Sequence, residues 1–116
     1  MKSVKSVKSV KSAFDSFSNL LCTGNIARGK PTKQSSIGAG GKASRGVDGN
    51  RNPQWGGRSC THTDNQRQPW WRVDLQMMYP IAKVRLTNRG DCCWTRLKNF
   101  EVRVGNTDDN PSANSL

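Results

Sequence analysis

The stretch HTDNQRQPWWRVDLQMMYPIAKVRLTNRGDCCWTR, residues 62–96, decides how the chain is read. Within it, Trp70-Trp71-Arg72-Val73-Asp74-Leu75 places Trp71, Val73 and Leu75 on one side of an extended backbone. Ile81 to Thr87 likewise sets Ala82, Val84 and Leu86 against Lys83 and Arg85. Successive side chains of a strand point to opposite faces, so each segment reads as a strand with one apolar and one polar face. Downstream, Phe100, Val102 and Val104 alternate with Glu101 and Arg103. Three such segments separated by Pro and Gly turns predict an all-β protein, an antiparallel sandwich with one wet face per sheet.

The same stretch gathers polar chemistry. His62 is the sole histidine of the chain, and it is followed by Arg89, the adjacent cysteines Cys92-Cys93, and Arg96. One histidine, two arginines and two sulfurs brought among buried strands are the makings of a small binding pocket. Cα atoms joined by a trans peptide lie ~3.8 Å apart, whereas disulfides span ~4.4–6.8 Å. A bond between Cys92 and Cys93 therefore calls for a distorted or cis peptide, and two reduced buried thiols are the alternative.

Around these residues the order and spacing extend further. His62 is followed by 26 residues, then Arg89-Gly90-Asp91, then four residues, then Arg96. Cys92-Cys93 comes directly after the Arg-Gly-Asp, and Asn99-Phe100-Glu101-Val102-Arg103-Val104-Gly105 follows. Upstream stand Gly46-Val47-Asp48-Gly49-Asn50 and Ser59-Cys60-Thr61-His62. In these motifs the chain resembles the F-type lectins, which bind L-fucose, and the resemblance runs from about Asn25 to Gly105.

The resemblance implies a β-sandwich of jelly-roll type, similar to discoidin domains. It implies fucose contacts at His62, Arg89 and Arg96, an oxidised Cys92–Cys93 pair packed against the sugar ring, and an aromatic wall at Trp55 facing the C6 methyl. Lys33 and Ile37 would line the rim, and Asp91 would act as scaffold for the arginines. It also implies a structural Ca²⁺ held by the side chains of Asp48 and Asn50 and by the carbonyls of Arg45 and Ser59. On its own residues, Asp48-Gly49-Asn50 is a turn that presents oxygens, the ligand class of Ca²⁺, though most such triplets are plain turns. The family pairs Cys60 with a cysteine near the domain's C-terminus. Here Cys60 is free, bonded to Cys22, or waiting for residues beyond the sequence, which is expected to stop before the family's last strands.

These residue types suit the task. A neutral sugar offers hydroxyls and a ring oxygen, each of which exchanges a bond to water for one of similar strength, so its donors must be fixed in advance. A guanidinium carries five donors in a rigid fork and can bridge two neighbouring oxygens. An apolar wall separates fucose, with its C6 methyl, from galactose, with a hydroxymethyl there.

At 116 residues the chain is at most one domain, since domains commonly run to ~100–150 residues. Residues 1–24 are read as a low-complexity basic tail and 25–116 as the lectin domain. Met1 is followed by three Lys-Ser-Val repeats, a three-residue period that suits neither helix nor strand, so disorder is expected through residue 12. Ala13 to Leu21 is compatible with one or two weak helical turns. Ser, Gly and Thr from Asn25 to Lys42 predict a strand edge and a mobile loop, and Ala43 to Val47 a short helical turn.

Nineteen Lys and Arg against eight Asp and Glu give a net charge of +11. That balance permits heparin-like polyanions, nucleic acid or anionic membranes as partners without requiring any of them. A basic domain for such polyanions is the main alternative to a lectin, and its mark is steep loss of binding with salt. No apolar run reaches the ~18 residues of a membrane span. Ala13 to Cys22 is too interrupted by Asp15, Ser16, Ser18 and Asn19 for a signal peptide. Four cysteines in a short chain nevertheless point to an oxidising, extracellular setting.

Other chemistry finds less support. Glycoside hydrolysis needs two carboxylates flanking one bond, and Asp48, Asp74, Asp91 and Glu101 form no paired motif. A nucleophile from Cys60 and His62 lacks an orienting group. Zinc on Cys60, His62, Cys92 and Cys93 lacks the usual C-x₂-C spacing. Arg89-Gly90-Asp91 also spells an adhesion tripeptide, which is not free to act if Arg89 faces a sugar. The reading is thus a calcium-stabilised lectin for terminal L-fucose on microbial or cell-surface glycans, not an enzyme, with avidity drawn from an oligomer or from several domains.

Overall fold

A computed structural model describes residues 2–5, 10–16 and 24–105. Among these, six strands form two antiparallel sheets: β1 (Lys2–Lys5), β2 (Val10–Ser16), β3 (Thr32–Gln34), β4 (Trp70–Val73), β5 (Ile81–Asn88) and β6 (Glu101–Val104). One sheet has the order β3-β4-β1-β6, and the other pairs β2 with β5. The chain is all-β, and among the described residues the only helical pieces are 3₁₀ turns at Ala43–Val47, Trp55–Gly57 and Trp94–Arg96. The class is therefore the all-β antiparallel one that the alternating segments pointed to, consistent with the discoidin-like sandwich that the resemblance implied.

The strands follow from their residues. β4 and β5 are rich in the aromatic and β-branched side chains that fit a pleated surface, and each begins directly after a proline, Pro69 and Pro80, where no ladder hydrogen bond is lost. β4 ends where the Asp74 carboxylate accepts the Gln76 N–H at 2.7 Å and turns the chain. β3 occupies the sheet edge, with Gln34 opposite Trp71 and Thr32 opposite Val73.

Residues 1–24, read as a low-complexity basic tail with disorder expected through residue 12, contain two strands where they are described. β1 lies between β4 and β6, with Val4 opposite both Trp71 and Val102, and β2 runs along β5 from Val10 opposite Asn88 to Ser16 opposite Ile81. The helical turns expected from Ala13 give way to strand at least as far as Ser16, and residues 17–23 lie outside the described residues. The physical reason is that a ladder is made by the backbone. A three-residue repeat forbids a periodic apolar face, but it supplies N–H and C=O groups without Pro or Gly, and β1 uses them to bridge the facing edges of β4 and β6.

Both sheets contribute to one core. Ala27, Ala43, Val47, Trp71, Val73 and Leu75 are buried, with Ile81, Val84 and Leu86 from β5 and Val102 from β6 packed against them. The alternation at Trp71, Val73 and Leu75 thus faces inward. The outer face of β4 is not wet, however: Arg72 is buried as well, its guanidinium carbon 5.5 Å from the Trp70 ring. On β6 only Val102 joins the core, while Phe100 and Val104 are exposed and Arg103 pairs with Glu101 at 2.8 Å.

Trp71 is the largest fully buried side chain, and its indole N–H donates to the Ala43 carbonyl at 2.9 Å. It fits because position 46 is glycine: a Cβ there would stand 2.8 Å from the indole and 3.3 Å from the Thr61 methyl. Neither a ring in the core nor a buried threonine moves cheaply. Gly46→Ala is expected to lower stability by about 1–3 kcal/mol, read as a lower denaturant midpoint with unchanged slope.

Candidate functional site

His62 is set in place by its backbone and by two glycines. Its N–H donates to the Gly41 carbonyl at 2.9 Å, and its own carbonyl accepts the Gly38 N–H at 2.8 Å. Gln34, on β3, adds its side-chain amide to the carbonyls of Gly41 and His62 at 2.8 and 3.0 Å. A Cβ on Gly38 would lie 2.4 Å from the His62 ring, and one on Gly41 would lie 2.5 Å from the His62 backbone. The Gly38-Ala39-Gly40-Gly41 run, read as a mobile loop, is a close-approach surface that fixes the histidine.

Trp55 is the hub of the site. Its ring stands edge-on to the His62 imidazole, with centroids 5.5 Å apart and planes at 72°, and the Arg89 guanidinium carbon lies 5.2 Å from the same ring. Trp55 is half-buried and lies outside the core cluster. Asp91 ties these groups together. Its carboxylate accepts the Arg89 Nε–H at 2.7 Å and an Nη2–H at 3.0 Å, and the Trp55 backbone N–H at 3.2 Å. A two-point pair of this kind fixes the guanidinium plane as well as its charge.

The backbone around Arg89 is braced at several points. Gly90 N–H donates to the Pro53 carbonyl at 2.9 Å, joining the arginine loop to the loop that carries Trp55. The Asn88 side chain accepts the Arg89 N–H and donates to the Trp94 carbonyl, both at 2.8 Å. Between these points Cys92 and Cys93 form a disulfide. The peptide between them is trans, with Cys93 at φ 62°, so no cis peptide accompanies the bond. The 3₁₀ turn Trp94–Arg96 follows, closed by Arg96 N–H on the Cys93 carbonyl at 3.0 Å. Arg96 is exposed and makes no ion pair among the described residues, so Asp91 holds Arg89 alone.

The electrostatics follow from this arrangement. Burial is the main force pushing the His62 imidazole below its ordinary value of 6.5, and the charge of Arg96 is the next. The ring is therefore neutral at neutral pH, with one donor and one acceptor in place of a third positive charge. The hydrogen bond from Arg89 lowers the Asp91 carboxyl to about 2, and the same bond raises Arg89.

The loop from Asp48 to Ser59 gathers oxygens. The Ser59 hydroxyl reaches both Asp48 oxygens, at 2.9 and 2.7 Å, and the Asn50 carbonyl at 3.1 Å. Asp48 also accepts the Asn50 N–H at 2.8 Å, and the Asn50 side-chain oxygen accepts the Asn52 N–H at 3.0 Å. Asp48, Asn50 and Ser59 thus sit together, while Arg45 lies on the Ala43–Val47 turn, its guanidinium carbon 5.9 Å from the Trp55 ring. Among the described residues no group of three His, Cys, Asp or Glu side chains is placed to hold a metal.

Cys60 carries a free thiol, buried and directed at the Pro53 carbonyl at 3.6 Å, and Cys22 lies outside the described residues. Ile37 is exposed beside Gly38, and Lys33 is exposed on β3. Sequence reasoning missed Gln34, Gly38, Gly41, Pro53 and Asn88 as supports, and assigned Arg45 a backbone role only. A glycine on each side of a loop that meets the sole histidine was the available signal.

Residues 45–115 match the family model described as the NedA-like, galactose-binding domain. Similar proteins include a fucolectin of Anguilla anguilla, 44% identical over 86 residues, covering 70% of this chain and 54% of the relative. Fucolectin-5 of Anguilla japonica is 44% identical over 97 residues, covering 78% and 51%, and a pentraxin fusion protein of Xenopus laevis is 36% identical over 92 residues, covering 78% and 22%. The chain spans about half the length of the fucolectins it matches. No solved structure matches it.

The imidazole shift carries a pH signature. An unfolded histidine binds its proton near 6.5 and folded His62 does so lower, so stability, constant above that value, declines as pH falls below it. The Asp91 contribution is complete above 3.8 and is lost as pH falls toward 2. Denaturation between pH 7.5 and 5 should show the first decline, and His62→Gln, removing the sole histidine, should flatten it.

Proposed function

Because this chain belongs to the NedA-like, galactose-binding domain family and is an F-type lectin domain within it, we propose that it binds terminal L-fucose on glycans through His62, Arg89 and Arg96. The observation that carries the reading is the cluster on Trp55: a neutral sole histidine and a guanidinium held flat by Asp91, both within about 6 Å of one half-buried indole. This is a binding site with its donors set in advance, and the carboxylate beside Trp55, Asp91, is taken up by Arg89. The protein on this reading is a lectin and not an enzyme.

Each group has a task. Arg89 commits Nε–H and one Nη2–H to Asp91, leaving three donors for vicinal sugar oxygens. Arg96, unpaired among the described residues, supplies a second fork. His62 adds a directed contact without adding charge, and Trp55 supplies the apolar wall for the C6 methyl. The Cys92–Cys93 disulfide offers a compact apolar surface to a face of the ring. Because a monosaccharide touches few atoms, single-site affinity is modest, and avidity comes from an oligomer or from repeated domains in an extracellular setting.

Calcium fits the chemistry of the 48–59 loop, whose carboxylate, amide and carbonyl oxygens are the donors that ion takes. Asp48 and Asn50 would hold it through side-chain oxygens and Arg45 and Ser59 through carbonyls, and the ion would neutralise charge and cross-link the loop. Gly56 and Gly57 in the same loop add little internal rigidity.

Two experiments test the reading. In titration calorimetry with L-fucose, Arg89→Ala and Arg96→Ala should each weaken binding at least about tenfold, the scale of a lost hydrogen bond to a charged group, and His62→Ala about two- to tenfold, the scale of a neutral one, while circular dichroism stays that of the parent. Fucose binding that persists in all three variants, or that falls steeply with salt as for a polyanion binder, contradicts it. For the metal, Ca²⁺ at 100 times its dissociation constant should add about 2.7 kcal/mol of stability. Chelator or Asp48→Asn should remove that gain, and an unchanged melting temperature with and without Ca²⁺ refutes the metal assignment.

A further inference from the structure

The site carries more positive charge than a neutral sugar calls for. Arg45 and Arg89 set their guanidinium carbons 5.9 and 5.2 Å from the Trp55 ring, and the charge of Arg96 reaches His62. Against these three cations stand two carboxylates: Asp91, both of whose oxygens Arg89 occupies, and Asp64, whose charge also reaches His62. Asp48, on the neighbouring loop, is engaged by the Ser59 hydroxyl and the Asn50 N–H. Arg45 makes no ion pair among the described residues, although it is half-buried.

An arginine kept on an indole face is held in place without being neutralised. Arg45 therefore keeps its charge near the paired Arg89, and a surface lined by one sign of charge concentrates ligands of the other. The planar fork matches the paired oxygens of a sulfate ester or a carboxylate. We infer that the fucose site takes a glycan bearing an anionic oxygen group, on the fucose or on the sugar next to it, and that the Arg45 side chain receives that group. The inference rests on the lectin reading and makes the basic charge of the chain part of the same site.

The test is calorimetric titration with methyl L-fucoside, its sulfate ester, and a fucosyl disaccharide carrying a uronic acid, at low and at physiological salt. At least one anionic ligand should bind about tenfold tighter than the neutral one, the scale of one charge-assisted contact, and the preference should shrink as salt rises. Which of the two wins separates sulfate from carboxylate. In Arg45→Gln the ratio of anionic to neutral affinity should fall to near one, and in Arg45→Lys it should be intermediate; reading the ratio within each variant cancels any general loss. A ratio near one in the parent chain, or one that survives Arg45→Gln, overturns the inference while leaving the fucose site standing. A parent chain that binds none of the three overturns the lectin reading and this inference with it.

Discussion

Burial of the Trp71 indole is the constraint on which the rest depends. An aromatic ring of this size removes on the order of 200 Å² from water, roughly 5 kcal/mol at the usual coefficient. That gain holds only while the indole N–H has a partner, which the Ala43 carbonyl supplies. Satisfying it fixes the Ala43–Val47 turn against β4, requires glycine at position 46, and sets Thr61 alongside. From there the order passes outward. Trp71 faces Gln34 across the ladder, and Gln34 holds the carbonyls of Gly41 and His62. The core and the site are therefore two ends of one hydrogen-bonded path, and the histidine is positioned by packing some distance from its ring.

The site itself is a study in balancing charge around one ring. Trp55 offers its face and edge to two guanidinia and an imidazole, an arrangement that mutual repulsion would disperse in water. Three features hold it. Asp91 takes Arg89 at two points and Trp55 at a third. Burial keeps His62 uncharged beside the arginines. The Cys92–Cys93 disulfide and the turn after it hold the segment carrying Arg96 on a short tether. What remains is an unneutralised positive rim over a preset donor array, suited to a ligand with many oxygens.

How much of this was legible in the sequence depended on which physical term decided each part. Trp71, Val73 and Leu75 announced their face because burial of side chains selects period two, as did Val84 and Leu86 on β5, whereas Ile81 joins the core out of that alternation where the ladder shifts register. The residues on Trp55 were legible as spacing, though the geometry that joins them was not. β1 and β2 were hidden because backbone pairing leaves no mark in a Lys-Ser-Val repeat, and β6 misled because Phe100 and Val104 alternate without a layer to cover them. Gly38 and Gly41 looked like freedom and act as contact, since a missing Cβ is read correctly only when the approaching group is known. The Arg45 side chain escaped notice because its partner, Trp55, is ten residues away on another turn.

If the groups around Trp55 form the sugar site, the sole histidine makes that site directly accessible to nuclear magnetic resonance. The ring proton signals of the chain's one imidazole should shift progressively on addition of L-fucose, and its titration should move with saturation, while equal amounts of D-galactose leave both nearly unchanged. Imidazole signals indifferent to L-fucose at concentrations where calorimetry records binding would place the sugar elsewhere on the protein and contradict the account.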